Sequence, residues 1–249
     1  MKRMLLILLF VCSVVSAAEA RTVMVVLFPF REAEIAAKVD GTVREYKFRV
    51  GEQFKAGDTL LVLDDTQYRI EAERAAALAE DAKVQAQFAE ESYVAQKKLF
   101  DEEFQSKLEL KRRETEVATA NARKKVADAN LAESRLQLSY CTLKVPFDGK
   151  IEAILSREHE TIRAGQPLFR VIDDSKLLAV MNVPVSKMPE VGEKMWFGFS
   201  DNRIQVEGTV FEVSPRADHR SGTVEVKALI ANSDGKLSAG LTGVLIDGK

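Results

Sequence analysis

A short pattern of residues occurs twice in this chain at a constant separation of 108 residues, and no other feature constrains the fold as strongly. The matching residues are aspartates and glycines, and they pair as Asp40 with Asp148, Gly41 with Gly149, Gly57 with Gly165 and Asp65 with Asp173. A gapless match of this kind indicates one structural unit that is present in two copies.

Each copy has the pattern of short β-strands joined by glycine turns. In the first copy, Val43, Tyr46 and Phe48 lie before Gly51, and the apolar residues 60–63 follow Gly57. A unit of this size buries too little apolar surface to fold alone. We therefore expect the two copies, residues 33–65 and 140–173, to pack face to face as one small β-sandwich. Two unrelated β-hairpins are the alternative, and the shared register favours the sandwich.

The segment between the copies, residues 66–139, contains neither proline nor glycine and is rich in strong helix formers. Alternating steps of three and four residues predict a coiled-coil seam on each of two helices. The first predicted seam consists of Ala72, Ala75, Ala79, Ala82, Ala86, Ala89, Tyr93, Gln96 and Phe100. The second consists of Leu108, Lys111, Thr115, Ala118, Ala122, Lys125, Ala129, Ala132 and Leu136.

These two series predict an antiparallel helical hairpin whose helices are each about 50 Å long. The polar residues 101–103 interrupt the pattern and mark the turn. Residues 64–67 are suited to cap the outgoing helix, and Ser106 with Glu109 has the form of a capping box for the returning one. A dimeric coiled coil is the alternative, but it leaves the flanking repeat unexplained.

The N-terminus has the pattern of a secretory signal peptide, predicted over residues 1–20. Lys2 and Arg3 precede an apolar stretch over residues 4–15, and small residues follow at 16–20. The stretch is too short to span a bilayer, which takes about 20 residues. Cys12 leaves open a lipoprotein alternative. We therefore expect a protein of the periplasm and cell envelope, and association with the inner membrane stays open as an alternative.

Charge and cysteine content argue against nucleic-acid binding and against an intramolecular disulfide. The chain has 36 basic and 38 acidic residues, and removal of residues 1–20 leaves 34 and 37, a net charge near −3. A weakly acidic chain is poorly suited to bind nucleic acid. With Cys141 as the one cysteine after the signal, no intramolecular disulfide is expected.

The order of motifs resembles that of the membrane fusion, or periplasmic adaptor, family of resistance-nodulation-division (RND, HlyD-like) efflux systems. The motifs that carry this resemblance are residues 37–43 (AKVDGTV), 50–60 (VGEQFKAGDTL), 63–68 (LDDTQY), 142–149 (TLKVPFDG), 208–218 (GTVFEVSPRAD) and 223–228 (TVEVKA). The resemblance implies an α+β fold: a split lipoyl-like β-sandwich, a coiled-coil hairpin inserted over residues 66–139, and a small β-barrel. The barrel is expected over residues 174–249, with residues 23–30 as an additional strand.

The same resemblance implies a function without catalysis. Adaptors of this family bridge an inner-membrane transporter, here favoured to be of the RND type, to an outer-membrane channel, and they assemble as trimer or hexamer rings. Many members continue into a membrane-proximal domain, whereas this chain ends at Lys249, so we expect the barrel to contact the transporter. An adaptor of an ATP-driven (ABC) exporter or type I secretion system is the alternative. A lipoyl or biotin carrier is disfavoured, because the hairpin replaces the turn that would hold the modified lysine.

Channel docking is expected at the hairpin tip. The candidate docking residues are Lys97, Lys98, Leu99, Phe100, Phe104 and Ser106. In many family members the tip carries Arg, then Leu four residues later, then Ser seven beyond that. Leu99 and Ser106 occupy the last two places, but Ala95 stands in place of the arginine. Ser106 also has an ordinary explanation as a helix N-cap.

The sequence offers no catalytic or metal-binding constellation. The two histidines, His159 and His219, are isolated from each other and from Cys141, so no metal-ligand spacing is formed. No phosphate-binding glycine loop or nucleophile elbow is present. We therefore expect no enzyme activity, no metal and no cofactor. Trp196, between Met195 and Phe197, is expected in a strand of the barrel core.

Overall fold

The computed structural model describes residues 23–199 and 203–246, so the predicted signal peptide, with Cys12, lies outside the described residues. The described residues divide into two compact units, one formed by Arg31–Asp173 and the other by the described residues on either side of it. In chain order the elements are β1 (Met24–Ala36), β2 (Gly41–Tyr46), β3 (Gln53–Phe54), β4 (Thr59–Leu63), α1 (Thr66–Asp101), α2 (Lys107–Tyr140), β5 (Thr142–Lys144), β6 (Gly149–Ile154), β7 (Thr161–Ile162), β8 (Pro167–Pro184), a 3-10 turn (Val185–Lys187), β9 (Lys194–Phe199), β10 (Ile204–Asp218), β11 (Thr223–Ala231) and β12 (Thr242–Ile246).

The strands of the unit Arg31–Asp173 follow the sequence repeat. One sheet has the order β5-β4-β2-β7, and β6 pairs with β3 on one side and with β8 on the other. A shift of 108 residues carries β2 onto β6 and β3 onto β7. The buried core draws on both copies, and Val43 with Ile151, like Leu61 with Phe169, occupy equivalent positions of the repeat.

The turns of each copy are bonded to the backbone of the other copy, and the bonds are reciprocal. The Gly51 amide donates to the Ile151 carbonyl at 2.8 Å, and the equivalent His159 amide donates to the Val43 carbonyl at 2.9 Å. Each of these two hydrogen bonds is related to the other by the 108-residue shift of the repeat. The two copies therefore satisfy each other's backbone groups, as buried or turn backbone requires.

The repeated Asp-Gly pair contributes to the same exchange. Asp148 accepts the Ala56 amide at 2.7 Å, and Asp40 accepts the Ala164 amide at 2.7 Å. The glycine after Asp148 is required by close packing, because a Cβ on Gly149 would lie 2.2 Å from the Ile172 carbonyl oxygen. In this Asp-Gly pair the aspartate carboxylate accepts a turn amide of the other copy. The glycine Gly149 allows two strands to lie close together.

His159 occupies a backbone conformation that normally favours glycine. Its φ is 64°, and its equivalent in the first copy, Gly51, has a φ of 86°. A residue with a side chain is costly in this left-handed region. The exchange of hydrogen bonds therefore dictates the backbone here, whichever residue occupies the position.

The second unit is a small barrel. Its strands are ordered β1-β12-β9-β10-β11-β8, and a further pairing of β1 with β8 returns the order to its start. Alternate residues of these strands point inward, as in the series Leu177, Ala179, Met181 and Val183 of β8. Together with the sandwich and the two helices, this barrel confirms the predicted fold class.

Trp196 does not belong to the barrel core, so that expectation was wrong. It lies in β9, as predicted, but its side chain is 45% exposed, whereas Phe197 and Phe199 are fully buried. Successive side chains of a strand face opposite sides, and the two phenylalanines take the inward side.

The predicted seam of α1 is confirmed. Ala72, Ala75, Ala79 and Ala86 are buried, and the remaining predicted positions are half-buried. Alanine at these positions allows the axes of α1 and α2 to approach closely.

The predicted seam of α2 was wrong by two residues. All nine predicted positions are exposed. The half-buried positions with coiled-coil spacing are Leu110, Arg113, Val117, Ala120, Lys124, Ala127, Leu131, Ser134 and Leu138. Two series with the same spacing occur on this helix, and the observed one buries more of the large apolar side chains.

Contacts between the sandwich and the two helices fasten the base of the hairpin. The Tyr68 hydroxyl donates to the Asp40 carbonyl at 2.8 Å, and the Lys38 ammonium lies 4.7 Å from the centre of the Tyr140 ring. The Asp64 carboxylate accepts both the amide and the hydroxyl of Thr66. Both helices are thus tied to the unit from which they project.

Within residues 23–199 and 203–246, we find no helix that combines the length and the apolar character needed to cross a membrane.

We predict that Cys141 is unreactive in the folded protein. Burial, with the nearby Asp65 and Asp64 carboxylates, raises the pKa of its thiol from 9.0 to about 11. Only the thiolate is nucleophilic, so near neutral pH the folded protein holds about 100-fold less of it. Alkylation by iodoacetamide, followed on the Cys141 peptide by mass spectrometry, should be at least that much slower natively than in concentrated urea.

Equal alkylation rates in the two states would contradict this account of Cys141. The raised pKa also sets a direction for stability. Because the folded pKa lies above the unfolded value, the contribution of the thiol is complete below pH 9.0 and is lost as the pH rises through about 11.

Candidate docking site at the hairpin tip

The predicted docking residues lie around the end of α1 and the start of α2. Lys97, Lys98, Leu99 and Phe100 are in the last turns of α1, which ends at Asp101. Phe104 is in the connecting turn, and Ser106 is the N-cap of α2.

The turn between the helices is a Schellman motif in which a glutamate holds the left-handed position. The Phe104 amide donates to the Leu99 carbonyl and the Glu103 amide to the Phe100 carbonyl, each at 2.9 Å. These two bonds define the motif. Glu103 has a φ of 63°, where glycine is usual. The hydrogen bonds fix the direction in which the chain leaves α1 and thereby place Phe104.

Ser106 performs the capping role expected from the sequence. Its Oγ accepts the Glu109 amide at 3.3 Å. The Glu109 carboxylate lies 3.2 Å from the Arg113 guanidinium, an ion pair within the first turns of α2. A serine at this position thus stabilises the start of α2.

The tip exposes large apolar side chains. Phe104 is 76% exposed and Leu108 is 81% exposed, and Leu99 is exposed as well, whereas Phe100 is half-buried. Lys97 and Lys98 are exposed beside them. Leu108 was assigned to the α2 seam from the sequence, so its place at the tip was missed. An apolar tip that also carries exposed charges of both signs is suited to contact another protein.

A shallow, open cleft lies along one face of α1 next to the tip. Its lining residues are Glu90, Glu91, Val94, Ala95, Lys98, Leu99 and Glu102. Lys98 and Leu99 are the predicted docking residues that it brings together. Ala95 therefore lies in an open cleft bordered by three carboxylates, at the position where the resemblance places an arginine. Such a surface is suited to receive a basic or apolar side chain rather than to supply one.

The described residues hold no group of three His, Cys, Asp or Glu side chains that could bind a metal ion. His159 is used through its backbone amide in the sandwich. His219 is exposed in the turn between β10 and β11.

Comparison with known proteins adds a family and a fold. Residues 31–176, more than half of the chain, match the family described as RND MFP, barrel-sandwich hybrid domain. The multidrug resistance protein MdtA of Escherichia coli is 25% identical over 217 residues, covering 82% of this chain and 52% of that protein. The chain thus spans about half the length of the curated relatives it matches.

Two solved structures share the fold. A MacA-MexA chimeric protein, which contains the Pseudomonas aeruginosa MexA alpha-hairpin domain, superposes with a TM-score of 0.71 at 21% identity, covering 91% of this chain and 78% of that one. MacA from Actinobacillus actinomycetemcomitans gives a TM-score of 0.64 at 18% identity, covering 92% and 79%.

We predict that Glu103→Gly stabilises the hairpin by about 0.5–1 kcal/mol, because glycine adopts the left-handed conformation without steric cost. Urea denaturation monitored by circular dichroism measures the change. Glu102→Gly is the matched control and should destabilise, since Glu102 has a φ of −88°. Glu103→Gln separates the charge from the backbone effect and should be nearly neutral. Stabilisation by Glu103→Gln equal to that by Glu103→Gly would contradict the backbone explanation.

Proposed function

The chain belongs to the RND membrane fusion protein family, and from this premise we propose that it is the periplasmic adaptor of a tripartite efflux pump. In this proposal it bridges an inner-membrane transporter of the RND type to an outer-membrane channel and performs no catalysis. The observation that carries the proposal is the hairpin itself. Its helices of 36 and 34 residues reach about 50 Å from their base at 1.5 Å per residue.

A bridging function requires that the hairpin keep its direction, and several contacts support this. The chain connects the sandwich to the hairpin twice, from β4 into α1 and from α2 into β5. Tyr68 and Asp64 make contacts at the base of α1, and Lys38 contacts Tyr140 at the base of α2. The two helices also lack internal glycine and proline, which would permit kinks. The tip is therefore held at a defined distance from the sandwich.

The proposed contact with the channel is the tip. Leu99, Phe104 and Leu108 supply apolar area, Lys97 and Lys98 supply charge, and the cleft at Ala95 can receive a side chain of the partner. Buried aromatic side chains commonly dominate the energy of a protein interface. The proposal therefore assigns the largest contribution to Phe104, with Ser106 acting mainly through the cap of α2.

Several copies are proposed to surround one channel as a trimer or hexamer ring in the periplasm. The curated relatives are named multidrug resistance proteins, which favours drugs as the exported substrates.

The proposal is tested by in-cell crosslinking with a photoreactive residue at Leu99 and, separately, at Gln105. We expect each position to capture an outer-membrane channel, identified by mass spectrometry, and the transporter to copurify. A photoreactive residue at Lys55, in a sandwich turn, is the matched control and should capture no channel. Phe104→Ala should lower capture and drug tolerance by at least tenfold while changing the unfolding free energy by less than about 0.5 kcal/mol.

Failure of both tip positions to capture an envelope protein in exporting cells would overturn the bridging proposal. Copurification of an ATP-driven transporter would instead keep the adaptor role and replace the RND partner.

A further inference from the structure

A glutamine in the seam near the tip holds a buried amide group that is not hydrogen-bonded. Gln96 lies on the α1 seam, five residues before the helix ends at Asp101. Its Nε2 atom is the one buried side-chain nitrogen or oxygen of the described residues that has no hydrogen-bond partner. An amide that loses water without gaining a partner destabilises the packed state. The closed tip is therefore less stable than an apolar seam would make it.

No polar contact between the helices offsets this cost. Residues 66–140 are described throughout, and each of their side-chain ion pairs joins residues three or four apart on one helix. Their side-chain hydrogen bonds to one another likewise stay within one helix or its cap. Beyond the turn, α1 is thus held against α2 by the packing of apolar and small side chains.

This packing is tighter near the base of the hairpin than near the tip. The buried residues of α1 all lie in the part nearer the base, and they are Ala72, Ala75, Ala79 and Ala86. Closer to the turn, Tyr93, Gln96 and Phe100 are half-buried, and Leu110 on the α2 seam is half-buried as well. A segment with few buried apolar contacts opens at a lower free energy than a well-packed one. The tip is therefore the weakest part of the seam.

We propose that Gln96 makes the tip, residues 96–110, a segment that opens separately from the rest of the hairpin, and that the outer-membrane channel binds the opened tip. Opening gives the Gln96 amide access to water or to a carbonyl group of the partner. It also uncovers Phe100 and Leu110, which adds apolar area to that already exposed at the tip. This inference rests on the proposed adaptor function and adds a conformational step at the same site.

The proposal explains why a residue that destabilises the hairpin serves docking. The apparent affinity of a partner that binds only the opened tip is its intrinsic affinity multiplied by the fraction of tips that are open. The unsatisfied amide of Gln96 raises this fraction. The base of the hairpin stays closed, because its buried alanines carry no such cost, so the direction of the helices is kept while the tip opens.

Native-state hydrogen exchange on the purified protein, with and without Gln96→Met, tests the opening. Methionine is close to glutamine in size and helix propensity and has no N–H group, so the closed tip should be stabilised. We expect the amides of Phe104 and Leu110, which are bonded to the Leu99 and Ser106 carbonyls, to exchange about tenfold more slowly. Exchange of the Ala79 amide, in the buried part of the seam, should not change.

Gln87→Met is the matched control. Gln87 is exposed on α1, so the same change there removes no buried donor and should leave exchange of the Phe104 and Leu110 amides within twofold of the unaltered protein. Unchanged or faster exchange of these two amides in Gln96→Met would overturn the proposal. An equal slowing at Ala79 would also overturn it, since the hairpin would then open as a whole.

The same two variants, each carrying the photoreactive residue at Gln105, test the docking step in cells. Gln96→Met should lower channel capture at least threefold relative to Gln87→Met, because fewer tips are open. Equal capture by the two variants would show that the closed tip binds and would overturn the docking step. Absence of capture even without either change would reject that step together with the adaptor function, whereas slower exchange in Gln96→Met would still support the separate opening.

Discussion

The reciprocal exchange of backbone hydrogen bonds between the two sequence repeats is the constraint on which the rest of the structure depends. Gly51 and His159 each donate to a strand of the other copy, and Asp40 and Asp148 each cap a turn of the other copy. Neither copy can satisfy these groups alone. The long insertion between them is compatible with this exchange because an antiparallel hairpin returns its ends to the same place, which avoids the entropy of closing a flexible loop of that length.

The hairpin inherits its direction from this closure. Its own seam is largely alanine on α1, which brings the two axes close but buries little apolar area per residue. The contacts of Tyr68 and Lys38 therefore help to hold the helical hairpin in a fixed direction relative to the sandwich. The α1 seam uses alanine, and the large side chains of Phe88 and Phe104 lie outside it and are exposed. The tip contact proposed here uses side chains that the fold does not need for its own core.

Much of the fold was predictable because its signals are local and repeated. The 108-residue shift, the α1 seam and the Ser106 cap each follow from spacing and residue type. The α2 seam did not, because Leu108 to Leu136 and Leu110 to Leu138 have the same spacing and differ only in which large side chains they bury. Glu103 and His159 occupy positions where the sequence would suggest glycine, so tertiary hydrogen bonds outweighed local preference. Of the candidate site, the tip position was predictable, whereas the exposure of Leu108 and the cleft at Ala95 required the structure.

The central claim, that the two copies form one cooperative unit, is tested most directly by native-state hydrogen exchange. The Lys47 and Leu155 amides bond within the first and second copy respectively, and the Gly51 and His159 amides bond between copies. If the copies depend on each other, all four amides should exchange through a single opening with the same free energy and the same dependence on denaturant. Exchange of Gly51 and His159 through an opening that leaves Lys47 and Leu155 protected would show that each copy folds by itself, and would contradict the account.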